Sequence, residues 1–97
     1  MAKYIILMNW TDQGIRNVKE SPKRLDAARE AAKKLGAQIN DVYMTMGAFD
    51  MVLHLDAPND EAAAKFMLGT GRAGNVNTKT LKAFSEDEYR KIIGSLD

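Results

Sequence analysis

Met46-Gly47-Ala48-Phe49-Asp50 lies between two runs that both read as strands, Gln38–Met46 and Met51–Asp56. Gly47 can take the positive φ that a hairpin turn needs, and the Asp50 carboxylate can bond to nearby backbone. A hairpin in mid-chain, with a strand and a helix on either side of it, decides the architecture.

Working outward, Lys3–Trp10 is apolar on both faces through Tyr4, Ile5, Ile6, Leu7 and Met8, the pattern of a central strand covered on both sides. Thr11-Asp12 offers a cap and an acidic first turn for a short helix with Ile15 and Val18. Ser21-Pro22 restarts the helix, with Ser21 as the expected cap, and Leu25, Ala28, Ala32 and Leu35 form its apolar stripe up to Gly36.

Beyond the hairpin, Asn59 or Asp60 caps a second helix, whose buried side is expected to be Ala63, Ala64, Phe66, Met67 and Leu68. Asn75–Phe84 reads as the fourth strand. Ser85-Glu86-Asp87-Glu88 matches a capping box, and Tyr89, Ile92, Ile93 and Leu96 follow at helical spacing. The C-terminal helix is therefore expected to pack back on the body.

The order βαββαβ plus a tail helix suits one α+β domain over residues 1–97, a ferredoxin-like sandwich with two helices on one face of a four-stranded antiparallel sheet. Two helices cover one face only. Leaving the other wet would expose a large apolar patch, so a second copy is the expected cover, in a two-fold sheet-to-sheet dimer or a larger homo-oligomer.

The 97 residues suffice for one modest core. With 14 Lys and Arg against 13 Asp and Glu, the net charge is +1, which gives no pull toward nucleic acid or an anionic membrane. There is no cysteine, so disulfides, thiolate nucleophiles and Cys-based metal sites are excluded. The apolar run after Met1 is too short for a signal peptide or a membrane span, and a cytoplasmic protein is expected.

Three stretches together, Asn9-Trp10-Thr11-Asp12-Gln13-Gly14, Met46-Gly47-Ala48-Phe49-Asp50, and Gly74-Asn75-Val76-Asn77-Thr78 leading to Ala83-Phe84, resemble the GYD-domain family over nearly the whole chain. The resemblance implies a dimeric α/β-barrel assembly of ferredoxin-like domains. It implies no assigned activity, and so it transfers no catalytic residue. The signature's aromatic is Phe49 here instead of Tyr, which removes any role needing a phenol oxygen and leaves ring packing intact.

Strand alternation brings Tyr43, Thr45 and His54 to the uncovered face if Val42, Met44, Leu53 and Leu55 face the helices. Asn9 ends the first strand, and Thr80 is a candidate to join them from the fourth. A His among Tyr, Thr and Asn can act as a general base or orient a ligand, because imidazole titrates near neutral pH. It can equally be a satisfied interface histidine. Asp50 is either a carboxylate at a pocket mouth or the acceptor that closes the turn. Trp10 either caps a pocket or fills the gap between strand and helix.

His54 with Asp56 is too few ligands for zinc, so no metal and no cofactor are expected. Gly69-Thr70-Gly71-Arg72-Ala73-Gly74 has the letters of a dinucleotide motif, but with a helix before it and a strand after it, the reverse of what phosphate binding needs.

Two functions from different classes follow. The preferred one is a non-catalytic ligand-binding or interaction module, acting as a homo-oligomer with its site at the sheet-to-sheet dimer. Asn9, Trp10, Tyr43, Thr45, Asp50 and His54 are its candidate ligand-binding residues, a small molecule is a possible ligand, and neither nucleic acid nor membrane is a partner. The alternative is a cofactor-free dimeric-barrel enzyme of monooxygenase, isomerase or decarboxylase type, with His54 as base and Asn9 and Tyr43 orienting. It ranks second because only His54 stands out as a titratable group aimed at a pocket.

Overall fold

Ala2–Trp10 forms β1, the strand on which the rest is assembled. The computed structural model describes residues 1–97. After β1 come α1 (Asp12–Arg16), a 3-10 turn (Val18–Glu20), α2 (Ser21–Lys34), β2 (Gln38–Met44), β3 (Met51–Ala57), α3 (Asp60–Arg72), β4 (Val76–Ala83) and α4 (Glu86–Gly94). The four strands form one sheet in the order β2-β3-β1-β4, antiparallel throughout. This is the ferredoxin-like α+β fold.

The register assigns every side chain to a face. Ile6 sits between Leu53 and Thr80, and Ile5 between His54 and Leu81. Tyr4, Ile6, Met8, Leu53 and Leu55 thus face the helices, where they are buried with Ile39, Ala32, Ala63 and Phe66. Thr80 shares this face, so it does not join His54 as the sequence suggested; the pairing register, which strand propensity does not specify, places it there.

β2 carries one extra residue: Ile39 pairs with Leu55 and Val42 with Leu53. This bulge keeps both Ile39 and Val42 on the helix side and releases Asn40 and Asp41 from the ladder. Val42 is half-buried, but Met44 beyond it is 73% exposed, since the helices do not reach that corner of the edge strand.

Local signals set most element ends. Asn59 caps α3 by accepting from the Ala62 N–H, and the Ser85–Glu88 capping box starts α4. Ser21 is not a cap. The 3-10 turn runs directly into α2, which makes Ser21 its first helical residue, with φ −54 and ψ −44. On α3 the buried side is Ala62, Ala63 and Phe66 with Met67 half-buried, whereas Ala64 and Leu68 point outward. β2 stops at Met44, two residues short of the expected end, because the Thr45 hydroxyl bonds back to the Phe49 carbonyl and turns the chain early.

The largest departure is α4. None of its residues is buried, and Tyr89, Ile92 and Ile93 are all exposed. The helix forms where its box predicts but does not fold back on the body.

One tether joins the sheet to the helix layer. The Tyr4 hydroxyl donates to Asp60 at the start of α3, and Lys82 of β4 reaches the same carboxylate at 3.0 Å. The hydrogen bond to Asp60, burial and the Asp60 charge push the Tyr4 phenol from 10.0 up to about 12, while Tyr4 and Lys82 hold Asp60 below the usual carboxylate range. Between those two phenol values the unfolded chain has lost a proton that the folded chain retains, so stability falls as pH rises. Unfolding measured from about pH 10 to about pH 12 should show this slope in the natural chain and a shallower one in Tyr4→Phe; equal slopes would remove the tether from the account.

Candidate functional site

The uncovered face of the sheet is apolar in the middle and polar at its edges. Ile5 and Leu7 of β1 pair with His54 and Val52 on one side and Leu81 and Lys79 on the other, and Tyr43 lies beside Val52. Leu81 is 52% exposed and Tyr43 62%. Lys3, Asp56 and His54 form the polar margin at one end, and Asn9 with Asn77 lies at the other.

A hollow of about 160 Å³ opens on this face, lined by Ile5, Asp41, Tyr43, Val52, Leu53 and His54. Tyr43 and His54, both singled out in the sequence, meet there. The bulge in β2 adds Asp41, which no sequence signal marked. His54 is held on both sides: Nε2 lies 3.2 Å from Asp56 Oδ1, and Nδ1 lies 3.6 Å from Asp41 Oδ2.

Asp56 is the hub of the group. Asn40 donates to one carboxylate oxygen, and Lys3 reaches the other at 3.3 Å, beside His54. Burial by itself would raise the Asp56 pKa. The hydrogen bonds from Asn40 and Lys3, with the charges of His54 and Lys3, outweigh it and hold the carboxyl below its ordinary value. Chemically the arrangement fixes an imidazole at the edge of an apolar hollow. Nε2 is within hydrogen-bond distance of Asp56, whereas Nδ1 lies at ion-pair distance from the exposed Asp41.

The other candidates gather elsewhere. Asn9 lies four residues along β1 from Ile5, the residue paired with His54, which is roughly 13 Å at strand rise. The Asn9 side-chain amide donates to the Ala48 carbonyl at 3.0 Å, and the Trp10 N–H donates to Asp50 Oδ2 at 2.9 Å. The Asp50 N–H in turn donates to the Met8 carbonyl at 2.9 Å, and the Thr45 N–H to the Asp50 carbonyl at 2.8 Å. Asn9, Trp10, Thr45 and Asp50 therefore belong to one junction where the hairpin is tied to the end of β1. Gly47 carries φ +125 within that hairpin.

The same junction extends to the start of β4. The Thr11 N–H donates to the Asn75 carbonyl at 3.0 Å, and the Thr11 hydroxyl to the Gly74 carbonyl at 2.6 Å. Gln13 reaches Asn75 Oδ1 at 3.0 Å. Gly14 packs so tightly that an added Cβ would stand 1.9 Å from the Asn75 carbonyl oxygen. Three segments far apart in sequence thus meet at one end of the sheet, held mainly by backbone groups.

Those are the three segments with the family resemblance, and the sequence profile described as "GYD domain" matches residues 4–93. The chain belongs to the GYD-domain family. The glutamine synthetase and cystathionine beta-lyase binding protein of Thermus thermophilus is 29% identical over 84 residues, 86% of this chain and 88% of that one. Among solved structures, MtbAldR matches with a TM-score of 0.68 at 21% identity, over 88% of this chain and 52% of that chain. A feast or famine regulatory protein from M. tuberculosis, solved with L-methionine, matches with a TM-score of 0.64 at 18% identity, over 90% of this chain and 54% of that chain. FFRP-DM1 matches with 0.59 at 20% identity, over 87% of this chain and all of that one, 100%. This GYD domain spans about half the length of the first two structures. At these identities the likeness concerns the fold.

In this member of the GYD family the signature aromatic, Phe49, is half-buried, with Lys79 Nζ 5.9 Å from its ring centre. The Gly69–Gly74 run lies within and just after α3, and Gly74, at φ +85, turns the chain toward β4.

Two outcomes test this geometry. Gly14→Ala should lower the unfolding free energy by about 3 kcal/mol in a denaturant titration, the upper end for overpacking, because the clash is with backbone that cannot yield. Asp56 contributes stability above its ordinary carboxylate pKa that is lost as pH falls through the lowered one. Asp56→Asn should therefore be less stable at neutral pH and lose less between about pH 5 and about pH 2 than the natural chain; parallel acid curves would contradict the hub.

Proposed function

We propose that this GYD-domain protein is a non-catalytic, homo-oligomeric binding module whose site forms where two copies place their open sheet faces together. The observation that carries this reading is the uncovered face itself, with Ile5, Leu7, Val52 and Leu81 at its centre and charged and amide side chains around them. An apolar centre with a polar rim is the anatomy of a protein interface. A two-fold contact would bring two copies of the Tyr43–His54 hollow to the seam, where each is closed by the opposite sheet.

The relative from Thermus thermophilus, named as a binding protein for two enzymes, supports a role in engaging other proteins. Its match extends along most of both chains, which favours a shared mode of action in which the assembled oligomer presents a surface to a protein partner. His54 then serves as a pinned polar group at the rim, with Asp41 and Asp56 as its partners. The candidates at the hairpin junction, Asn9, Thr45 and Asp50, shape the opposite end of the same face and set where a ligand or partner meets the hairpin, while Trp10 lies on the helix side of β1.

Leu81→Glu puts a charge at the centre of this face at a position already half open to water, so the protomer should still fold. Sedimentation should then show the natural chain as a dimer or larger and Leu81→Glu shifted to a smaller species, with unchanged circular dichroism. A natural chain that sediments as a lone protomer at micromolar concentration, or an assembly indifferent to the added charge, would overturn the reading.

A further inference from the structure

α4 is an ordered amphipathic helix with nothing to lie against. Tyr89, Ile92 and Ile93 follow the i, i+3, i+4 spacing of a helix that docks in a groove, with Leu96 just past its end, and they are 56%, 44%, 53% and 68% exposed. A helix this short is marginal in water without a packed face.

The same chain carries an unfilled groove on its helix layer. A cleft of about 320 Å³ lies between α2 and α3, with Met8, Leu53 and Phe66 at its floor. Its walls include Ala28 and Ala31 of α2 and Gly69 of α3, and nothing stands within 4 Å of where a Gly69 Cβ would be. Such small residues leave the space between the two helices unfilled.

Charge is complementary. Arg24 and Lys65 are at the cleft, Lys65 with Glu61 beside it at 3.7 Å. Arg24 is held by the carbonyls of Asn17 and Gly14, which orient it without offsetting its charge. The first turn of α4 holds Glu86, Asp87 and Glu88; Glu86 pairs with Arg90 at 2.8 Å and Glu88 accepts from the Ser85 N–H, which leaves Asp87 as the carboxylate without a partner.

The helix cannot reach its own groove. Val76, the first residue of β4, lines the cleft, and α4 begins beyond the last, Ala83. The eight residues of β4 span about 26 Å, which sets the arm and its receptor at opposite ends of the molecule.

We propose that α4 of one copy docks into the α2–α3 groove of a second copy, with its acidic first turn toward Arg24 and Lys65. The contact is head to tail. It uses neither the sheet face nor its two-fold axis, so it joins protomers or sheet dimers into a ring, or into a filament if the rotation does not close.

The chain has no cysteine, so introduced thiols report on single pairs. Full-length Ile92→Cys mixed with full-length Ala31→Cys under mild oxidation should give a disulfide-linked dimer at roughly ten times the yield of Ile92→Cys mixed with Leu81→Cys on the sheet face. Ile93→Asp, on an exposed face that the body does not need for folding, should abolish the species larger than the sheet dimer in sedimentation. Preferential linkage to Leu81, absence of linkage to Ala31, or an assembly mass unchanged by Ile93→Asp would each overturn the proposal. The sheet-face reading is tested separately, since Leu81→Glu leaves the groove and α4 intact.

Discussion

β1 is apolar on both of its faces, and the helices are laid over only one. Everything else in the molecule follows from that mismatch. A strand alternates its side chains, so Tyr4, Ile6 and Met8 enter the core while Ile5 and Leu7 must emerge on the other side. Pairing to β3 and β4 carries the same division outward to Val52 and Leu81. Burial of apolar surface is the main favourable term in folding and in association alike. A chain that leaves such a face open has spent only part of its hydrophobic driving force on its own fold.

The two ends of the sheet are built differently. At the hairpin end, the contacts are largely backbone carbonyls and amides, with Asp50, Thr11 and Asn9 as the side chains that meet them. The closeness of Gly14 to Asn75 at that end leaves no space even for a methyl group. At the other end, side chains dominate: Lys3, Asn40, His54 and Asp56 on the open face, Tyr4, Asp60 and Lys82 on the helix face. The family segments meet at the hairpin end, where those largely backbone bonds tie them together.

The His54 hollow joins an imidazole, a phenol and two carboxylates at the edge of the open face. A general base needs a nitrogen within reach of the proton it removes. Here Nε2 meets Asp56, which Asn40 and Lys3 also hold, and Nδ1 lies near the exposed carboxylate of Asp41. Such a group lends orientation and polarity to the rim of the face.

Much of this was legible in the order of residues. The mid-chain hairpin, the Asn59 cap, the capping box at Ser85 and the doubly apolar β1 sufficed for the ferredoxin-like fold, because each is a local signal whose physics acts within a few residues. The family resemblance was equally readable from three short segments. What the tertiary structure decided is long-range. Strand register put Thr80 with the helices and Ile5 beside His54. A single extra residue in β2 delivered Asn40 to Asp56 and Asp41 to His54. The end-to-end separation of Asn9 from His54 split one imagined site into two. α4 has a helix's sequence pattern, but that pattern states only that one face seeks apolar cover. Whether the cover comes from the same chain depends on the reach and direction of β4, and those exist only once the sheet is formed.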